Sequence, residues 1–368
     1  MTLAVRFVTP RFVPNIGGVE TRIREISTRL AMKGFEVEVC AFDADQLTEE
    51  YRTLEGVRIH RFHAFSPGNA YYVPGPTFCH WMRRHPVNIT DAHNIHALPA
   101  LMAALCHSES ERICLTPHYH GEAHTPFRRL LFAGYKKLAK SIVERCDCII
   151  CVSESERVLF EHDFAECRMT TIQNGVDYGE LAKHPWNGVT EDKSLLYVGR
   201  LDRYKNVDIL IRAVKLLREH FRENVRALII GSGPYETPLH DLSAGLKLHD
   251  AVRWMPNVTR DELLRLCQSA TIFVMLSEHE AYSLAVADAI AQGLPTLVPK
   301  VGPFTSYVNA GLAEGVDAPI QVGKVAEKLR EMLRDPMRYS QRIKSRNYFL
   351  SWDDVTIDIE QTYRSLLE

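Results

Sequence analysis

The sequence predicts an α/β protein made of two doubly wound units, and three observations carry that expectation. Short β-like apolar runs alternate with amphipathic stretches along the chain, the order that gives a parallel sheet with helices on both faces. The alternation breaks once, in NGVDYGELAKHPWNGVTEDK from Asn174 to Lys193, where Gly, Pro, Asn and Asp gather as they do in a linker, and then resumes. The length of 368 residues corresponds to about two domains at roughly 150 residues each.

The first series opens on the strand LAVRFVTP, followed by a helix from Gly18 to Lys33. The runs FEVEVCAF, GVRIHRF, VNITDAH, RICLTPH, CDCIICVS and MTTIQN supply further strands. Cys146, Cys148 and Cys151 invite a zinc reading, but no second Cys or His pair stands at matching spacing, so a buried strand is expected. The second series runs SLLYVGR, a helix from Asn206 to His220, VRALIIGSGP, a helix near Thr237 to Leu248, VRWMP, and a helix near Arg260 to Cys267. TIFVMLSE, a helix near Ser283 to Ala291, and PTLVPKVG complete it. From Trp352 to Glu368, Val355, Ile359, Tyr363, Leu366 and Leu367 recur at helical spacing and form a stripe that must dock. There is no fixed-period repeat and no low-complexity segment.

Composition excludes several classes. A hydrophobic fraction of 46% is ample for a core and excludes a disordered chain. Lys and Arg number 44 against 46 Asp and Glu, a net charge of −2, which disfavours nucleic acid as the main partner. No apolar run approaches the roughly 18 residues that cross a bilayer, and the first strand begins at about Leu3, so a cytoplasmic protein without a secretory signal is expected. Nine cysteines, an odd number, fit reduced thiols better than a disulfide framework.

Tandem doubly wound units bind ligands at the carboxyl ends of their strands, so the active site is expected in a cleft between the two. PNIGGVETRIREI puts Gly17 and Gly18 between the first strand and first helix, where a backbone can approach an anion; a plain turn is the alternative. In YVGRLDRYKN, Arg200 and Lys205 stand between a strand and a helix, two cations suited to a diphosphate. GSGP from Gly231 to Pro234 is a second tight turn at the same edge. In LSEHEAYSLAVADAIAQGLP, Glu280 precedes a helix start whose amides at Tyr282, Ser283 and Leu284 form an anion site. A carboxylate there suits a sugar hydroxyl joined to that anion, and Asp288 suits ribose hydroxyls. An acidic first turn complementing the helix dipole is the alternative for Glu278 and Glu280.

GGVE, SESE at Ser153 to Glu156, IQNGVD, YVGRLDRYKN, IIGSGP and EAYSLAVADAIAQGLP occur in the order seen in retaining glycosyltransferases of family 4, which the chain resembles over essentially its whole length. The resemblance implies the GT-B fold, two Rossmann-like domains facing a central cleft. It divides the chain into residues 1–178, joined by a last helix 353–368, and a donor domain 179–352. It assigns Arg200 and Lys205 to the donor diphosphate, Glu280 to the sugar hydroxyls, and the amides of Ala281, Tyr282, Ser283 and Leu284 to the sugar and distal phosphate. Gly17, Gly18 and Gly231 join the nucleotide-sugar site, and His118 in LTPHYHGEAHTP stands near the transferred sugar, with His120 and His124 in the same loop. The family pattern has Glu where this chain has Asp288, one methylene shorter, so a ribose contact becomes longer or water-bridged.

The resulting expectation is a retaining glycosyltransferase that moves a hexose-type sugar from a nucleotide-diphosphate sugar and needs no cofactor or metal, since DADQ from Asp43 to Gln46 lies far from the second-domain motifs. The acceptor stays open between a glycan, a lipid-linked and a small-molecule hydroxyl. Pro126 to Val143 mixes Arg128, Arg129, Lys136, Lys137 and Lys140 with Leu130, Leu131, Phe132 and Leu138, suiting peripheral contact with an anionic membrane or a solvated helix face. A non-catalytic nucleotide-sugar scaffold and a sugar-nucleotide epimerase are the competing classes. A dehydrogenase is disfavoured because G-x-G-x-x-G is absent at the first turn.

Overall fold

Every apolar run expected as a strand is one. The computed structural model describes residues 2–43, 50–66, 72–121, 135–136, 139–140, 142–164, 167–188, 193–344 and 348–368. Most of Pro126 to Val143, His124, residues 44–46 and the Asp43 side chain lie outside the described residues. The chain divides into one unit of Met1–Gly175 with Leu350–Glu368, and a second of Val176–Phe349.

The first unit holds β1 (Ala4–Val8), β2 (Glu36–Asp43), β3 (Glu50–Leu54), β4 (Val57–Phe65), β5 (Val73–Pro74), β6 (Ile89–His93), β7 (Arg112–Thr116), β8 (Cys148–Cys151) and β9 (Met169–Thr171). They pair in the order β3-β4-β2-β1-β6-β7-β8-β9, with β5 on β4. All pairs are parallel except β3 and β5 against β4. Helices cover both faces, so the parallel strands are buried on both: Val5, Phe7, Ile89, Ile113 and Ile149 are fully buried, and the buried charges Arg6 and Glu38 pair at 2.7 Å. The sequence reading missed β3 and β5. The β3–β4 hairpin turns at Glu55 and Gly56, both at positive φ, the conformation a two-residue hairpin needs.

Cys148 and Cys151 sit in β8, and both are buried free thiols, as is Cys146. Cys79 and Cys106 correct the expectation of nine reduced thiols. Helices Pro76–Arg84 and Leu98–Cys106 bring their Cα atoms to 5.2 Å, within bridging range, and the two are disulfide-bonded. The last helix, Trp352–Leu367, starts on a capping box between Ser351 and Asp354 and packs its stripe against helix Gly18–Met32 of the same unit. Arg29 meets Asp353 at 2.7 Å and Lys33 meets Glu360 at 2.8 Å along that contact. Tyr363, expected only as part of the apolar stripe, donates its hydroxyl to Asp91 at 2.7 Å in the core.

The second unit holds β10 (Lys193–Val198), β11 (Val225–Ile230), β12 (Val252–Met255), β13 (Ile272–Val274), β14 (Thr296–Pro299) and β15 (Glu314–Val316). Its sheet is fully parallel in the order β12-β11-β10-β13-β14-β15. The winding direction reverses between β10 and β13, and ligands bind open α/β sheets outside the strand ends at such a reversal. Among the described residues no helix is long and apolar enough to cross a membrane.

Candidate functional site

Strands β10 and β13 run side by side, so the loops leaving their carboxyl ends meet. Two backbone-directed bonds stitch them together. Glu278 N–H donates to the Tyr204 carbonyl at 3.0 Å, and Asn206 Nδ2 donates to the Leu276 carbonyl at 3.0 Å. Asn206 also reaches Glu278 Oε1 at 3.3 Å. It takes the left-handed φ of +53° that joins the short turn Arg203–Lys205 to helix Val207–Glu219, a conformation Asn tolerates.

Across this seam Lys205 Nζ lies 2.5 Å from Glu280 Oε1, with side chains only 10% and 14% exposed. Lys205 also stands 5.0 Å over the Tyr204 ring. Burial works against the ammonium, but Glu280, Tyr204 and Asp202 outweigh it and hold Lys205 above its ordinary pKa, so it stays charged at neutral pH. A cation and a carboxylate are thus fixed at the sheet edge with little freedom left to lose on binding.

Arg200 stands at the same edge but apart from that pair: its Nε meets Asp202 at 3.1 Å and its side chain is largely exposed. Gly231 has a packing role. At φ +136°, a Cβ there would lie 2.0 Å from the Gly199 carbonyl oxygen. The following turn accepts Leu201 N–H at Ser232 at 3.0 Å, and Tyr235 N–H returns to the Leu201 carbonyl at 2.9 Å. The GSGP turn therefore props the loop that carries Arg200 and Lys205.

Helix Leu284–Ala291 begins at Ser283, at φ +79°, with no side-chain cap and no acidic residue in its first turn. Its leading amides follow Glu280 directly, beside Ala281 and the buried Tyr282. Asp288 is buried further along this helix and paired with Arg260 Nη1 at 2.5 Å, while Arg260 Nε holds Glu180 at 3.1 Å. Burial pushes the Asp288 carboxyl above its ordinary range, although Arg260 pulls it the other way.

In the first unit, Gly18 opens helix Gly18–Met32 and Gly17 caps it. The space beside Gly17 is taken by Glu20, whose Oε2 would lie 2.3 Å from a Cβ there and whose Oε1 meets Arg11 at 3.3 Å. A carboxylate of the protein thus stands beside Gly17 without capping the helix. His118 follows β7 at φ +49°, with its Nε2 3.1 Å from His93 Nδ1. The next amide, Tyr119 N–H, donates to Glu156, the last residue of SESE. Burial pushes the Glu156 carboxyl up to about 8 against the bonds from Val152 and Tyr119. His120 stacks on His96, ring centroids 4.6 Å apart.

Burial, with His93 and Arg22 nearby, holds His118 well below its ordinary pKa of 6.5. The unfolded chain takes up a proton that native His118 refuses, so its stabilising contribution, present above about pH 6.5, is lost as pH falls toward the folded value. Melting temperature should therefore fall less steeply below that pH in His118→Gln than in wild type; parallel slopes would contradict a neutral His118.

The structure thus brings Lys205 and Glu280 together, sets Arg200 and the 281–284 amides on the neighbouring loops, and seats Asp288 against Arg260. Gly17 and Gly18, at the start of helix Gly18–Met32, and His118, just past β7, belong to the other unit. Asn206 and Arg260 were missed; an Asn before a helix and an Arg at a helix start are common enough to carry no signal alone. Among the described residues no group of three or more His, Cys, Asp or Glu side chains is arranged to hold a metal ion.

Residues 16–180 match the family described as Glycosyltransferase Family 4, and residues 181–348 match Glycosyl transferases group 1. The chain is 27% identical over 330 residues, 83% of each partner, to an uncharacterized glycosyltransferase of Methanocaldococcus jannaschii. It is 27% identical over 341 residues, 80% of this chain and 73% of the relative, to D-inositol 3-phosphate glycosyltransferase of a Nocardioides species. Among solved structures, sucrose-phosphate synthase of Thermosynechococcus elongatus superposes with a TM-score of 0.81 at 18% identity over 99% of both chains. HepE of Anabaena in complex with UDP-glucose superposes at 0.77 with 16% identity, over 99% of this chain and 100% of that one.

Proposed function

The chain belongs to the family 4 glycosyltransferases of GT-B fold, and from that premise we propose that it transfers a hexose-type sugar from a nucleoside diphosphate sugar to an acceptor hydroxyl, with retention and without a metal. The observation that carries this reading is the buried Lys205–Glu280 pair at the winding reversal of the second sheet. Lys205 and Arg200 face the diphosphate, and Glu280 turns its second oxygen to sugar hydroxyls. The uncapped start of helix Leu284–Ala291 offers amides to the distal phosphate. HepE, solved with UDP-glucose, supports a donor of this class.

In the transition state the bond from the anomeric carbon to the phosphate oxygen breaks and its electron pair leaves with the nucleoside diphosphate. Fixed cations and amides meet that growing charge without reorganising, which favours them over solvent. The acceptor oxygen attacks from the same face and its proton passes to the departing phosphate oxygen, so configuration is kept with no covalent intermediate. Trapping of a glycosyl adduct on Glu280 or Asp288 would refute that route. Asp288 meets ribose only by exchanging its bond to Arg260 or through a bridging water.

The test is a thermal-shift panel of uridine, guanosine, adenosine and thymidine diphosphates and their sugars, followed by transfer assays with the preferred donor in the presence of a chelator. One base should raise the melting temperature in proportion to affinity, as mass action requires. Failure of every donor to bind, loss of activity with chelator, or an inverted product would each overturn the corresponding part of the proposal.

A further inference from the structure

A line of polar side chains runs through the first unit from its last helix to the carboxyl edge of its sheet. Asp91, buried in β6, accepts the Tyr363 hydroxyl on Oδ2 at 2.7 Å and the Thr116 hydroxyl on Oδ1 at 3.0 Å. His93, two residues along the same strand and fully buried, places Nε2 3.5 Å from Asp91 Oδ1. Its other nitrogen, Nδ1, lies 3.1 Å from His118 Nε2, and the two rings stack at 5.4 Å. Pairing of His93 with Thr116 across β6 and β7 brings the two imidazoles side by side. Packing alone asks for none of this, because burying an anion and an imidazole costs free energy that apolar residues of the same size would not. The line ends at a histidine whose backbone stands at φ +49°, a conformation that persists only where surroundings hold it. Glu156 supplies that hold from the other side by accepting Tyr119 N–H.

We propose that Asp91 and His93 are positioning residues that fix the ring orientation and the Nε2–H tautomer of His118, so that His118 presents its Nδ1 lone pair to a hydroxyl of the transferred sugar. Asp91 accepts a hydroxyl hydrogen on each of its oxygens, from Tyr363 on Oδ2 and from Thr116 on Oδ1, the pattern of an ionised carboxylate. An anionic Asp91 accepts only, so the His93 nitrogen that faces it carries the hydrogen. In neutral His93, Nδ1 is then the acceptor, and the bond between the imidazoles is donated by His118 Nε2–H. A neutral imidazole has one N–H, which leaves Nδ1 of His118 as a hydroxyl acceptor. The sugar contact rests on the proposed transferase reading; the tautomer does not.

The experiment is nitrogen NMR on the full chain labelled with 15N-histidine, near neutral pH and without substrate, with the His118 signals identified by their loss in His118→Gln. The expected result is a protonated Nε2 and an unprotonated Nδ1 in wild type, with the two nitrogens averaging in His93→Phe. An Nδ1–H tautomer, or averaging already in wild type, would overturn the relay. In the transfer assay, His93→Phe should lower kcat about tenfold while the donor KM stays within about twofold, and His93→Asn, whose amide reaches the place of Nδ1, should recover most of that loss. A wild-type kcat in His93→Phe, or a loss that His93→Asn does not recover at equal melting temperature, counts against positioning. A chain that transfers no sugar but shows the fixed tautomer would refute the function and keep the relay.

Discussion

Lys205→Ala is expected to lower turnover about a hundredfold, equivalent to about 2.7 kcal/mol of transition-state stabilisation. The loss has two sources. The departing diphosphate loses a fixed cation, and Glu280, only 14% exposed, loses the partner that holds its carboxylate toward the sugar. Glu280→Ala should cost at least about tenfold. Because each residue orients the other, the double variant should lose little more than the worse single one, a non-additivity that a double-mutant cycle measures. Strictly additive losses would mean that the pair acts as two independent contacts, and wild-type rates in both single variants would sink the site assignment.

Gly231→Ala should be the most destabilising single substitution near this site. Its Cβ would overlap the Gly199 carbonyl oxygen at 2.0 Å, and the backbone at φ +136° is itself closed to alanine. Neither atom belongs to a flexible side chain, so the loop bearing Arg200 and Lys205 must move. A loss of about 3 kcal/mol or more is expected, a fall in melting temperature on the order of 6 °C or greater. Gly323→Ala is the internal contrast, since a Cβ there meets nothing within 4 Å on helix Val322–Arg334, and it should leave stability unchanged or slightly raised. Equal melting temperatures for the two variants would show that the turn yields and that Gly231 is dispensable as a prop.

These two cases also show what the sequence discloses. Parallel strands such as AVRFV and VRALII announce themselves as apolar runs broken by a single Arg, and the strand–loop–helix order then places Lys205 and Glu280 at one edge. Strand β3, EYRTL, pairs antiparallel at the sheet margin, where polar residues are tolerated, so its composition carried no strand signal. Glycines in GSGP read as a turn near a ligand, whereas the close approach that demands Gly231 depends on the register of β10 and β11, which no local pattern encodes. Asp91 and Tyr363 are 272 residues apart, and each looks ordinary in its own segment. Likewise the Arg260–Asp288 pair joins two helix positions that only the fold brings together.

The return of the last helix to the first unit bears on the order in which the protein is made. Residues 176–349 form an uninterrupted stretch, while the other unit needs Leu350–Glu368 to be complete. During synthesis the later-encoded sheet is therefore the first to have all its residues outside the ribosome. Until Tyr363 emerges, Asp91 lacks one of its two hydroxyl donors, and helix Gly18–Met32 lacks the last helix that packs on it. The nascent first sheet must wait for that segment, with Asp91 short of one hydroxyl donor and one helix face uncovered.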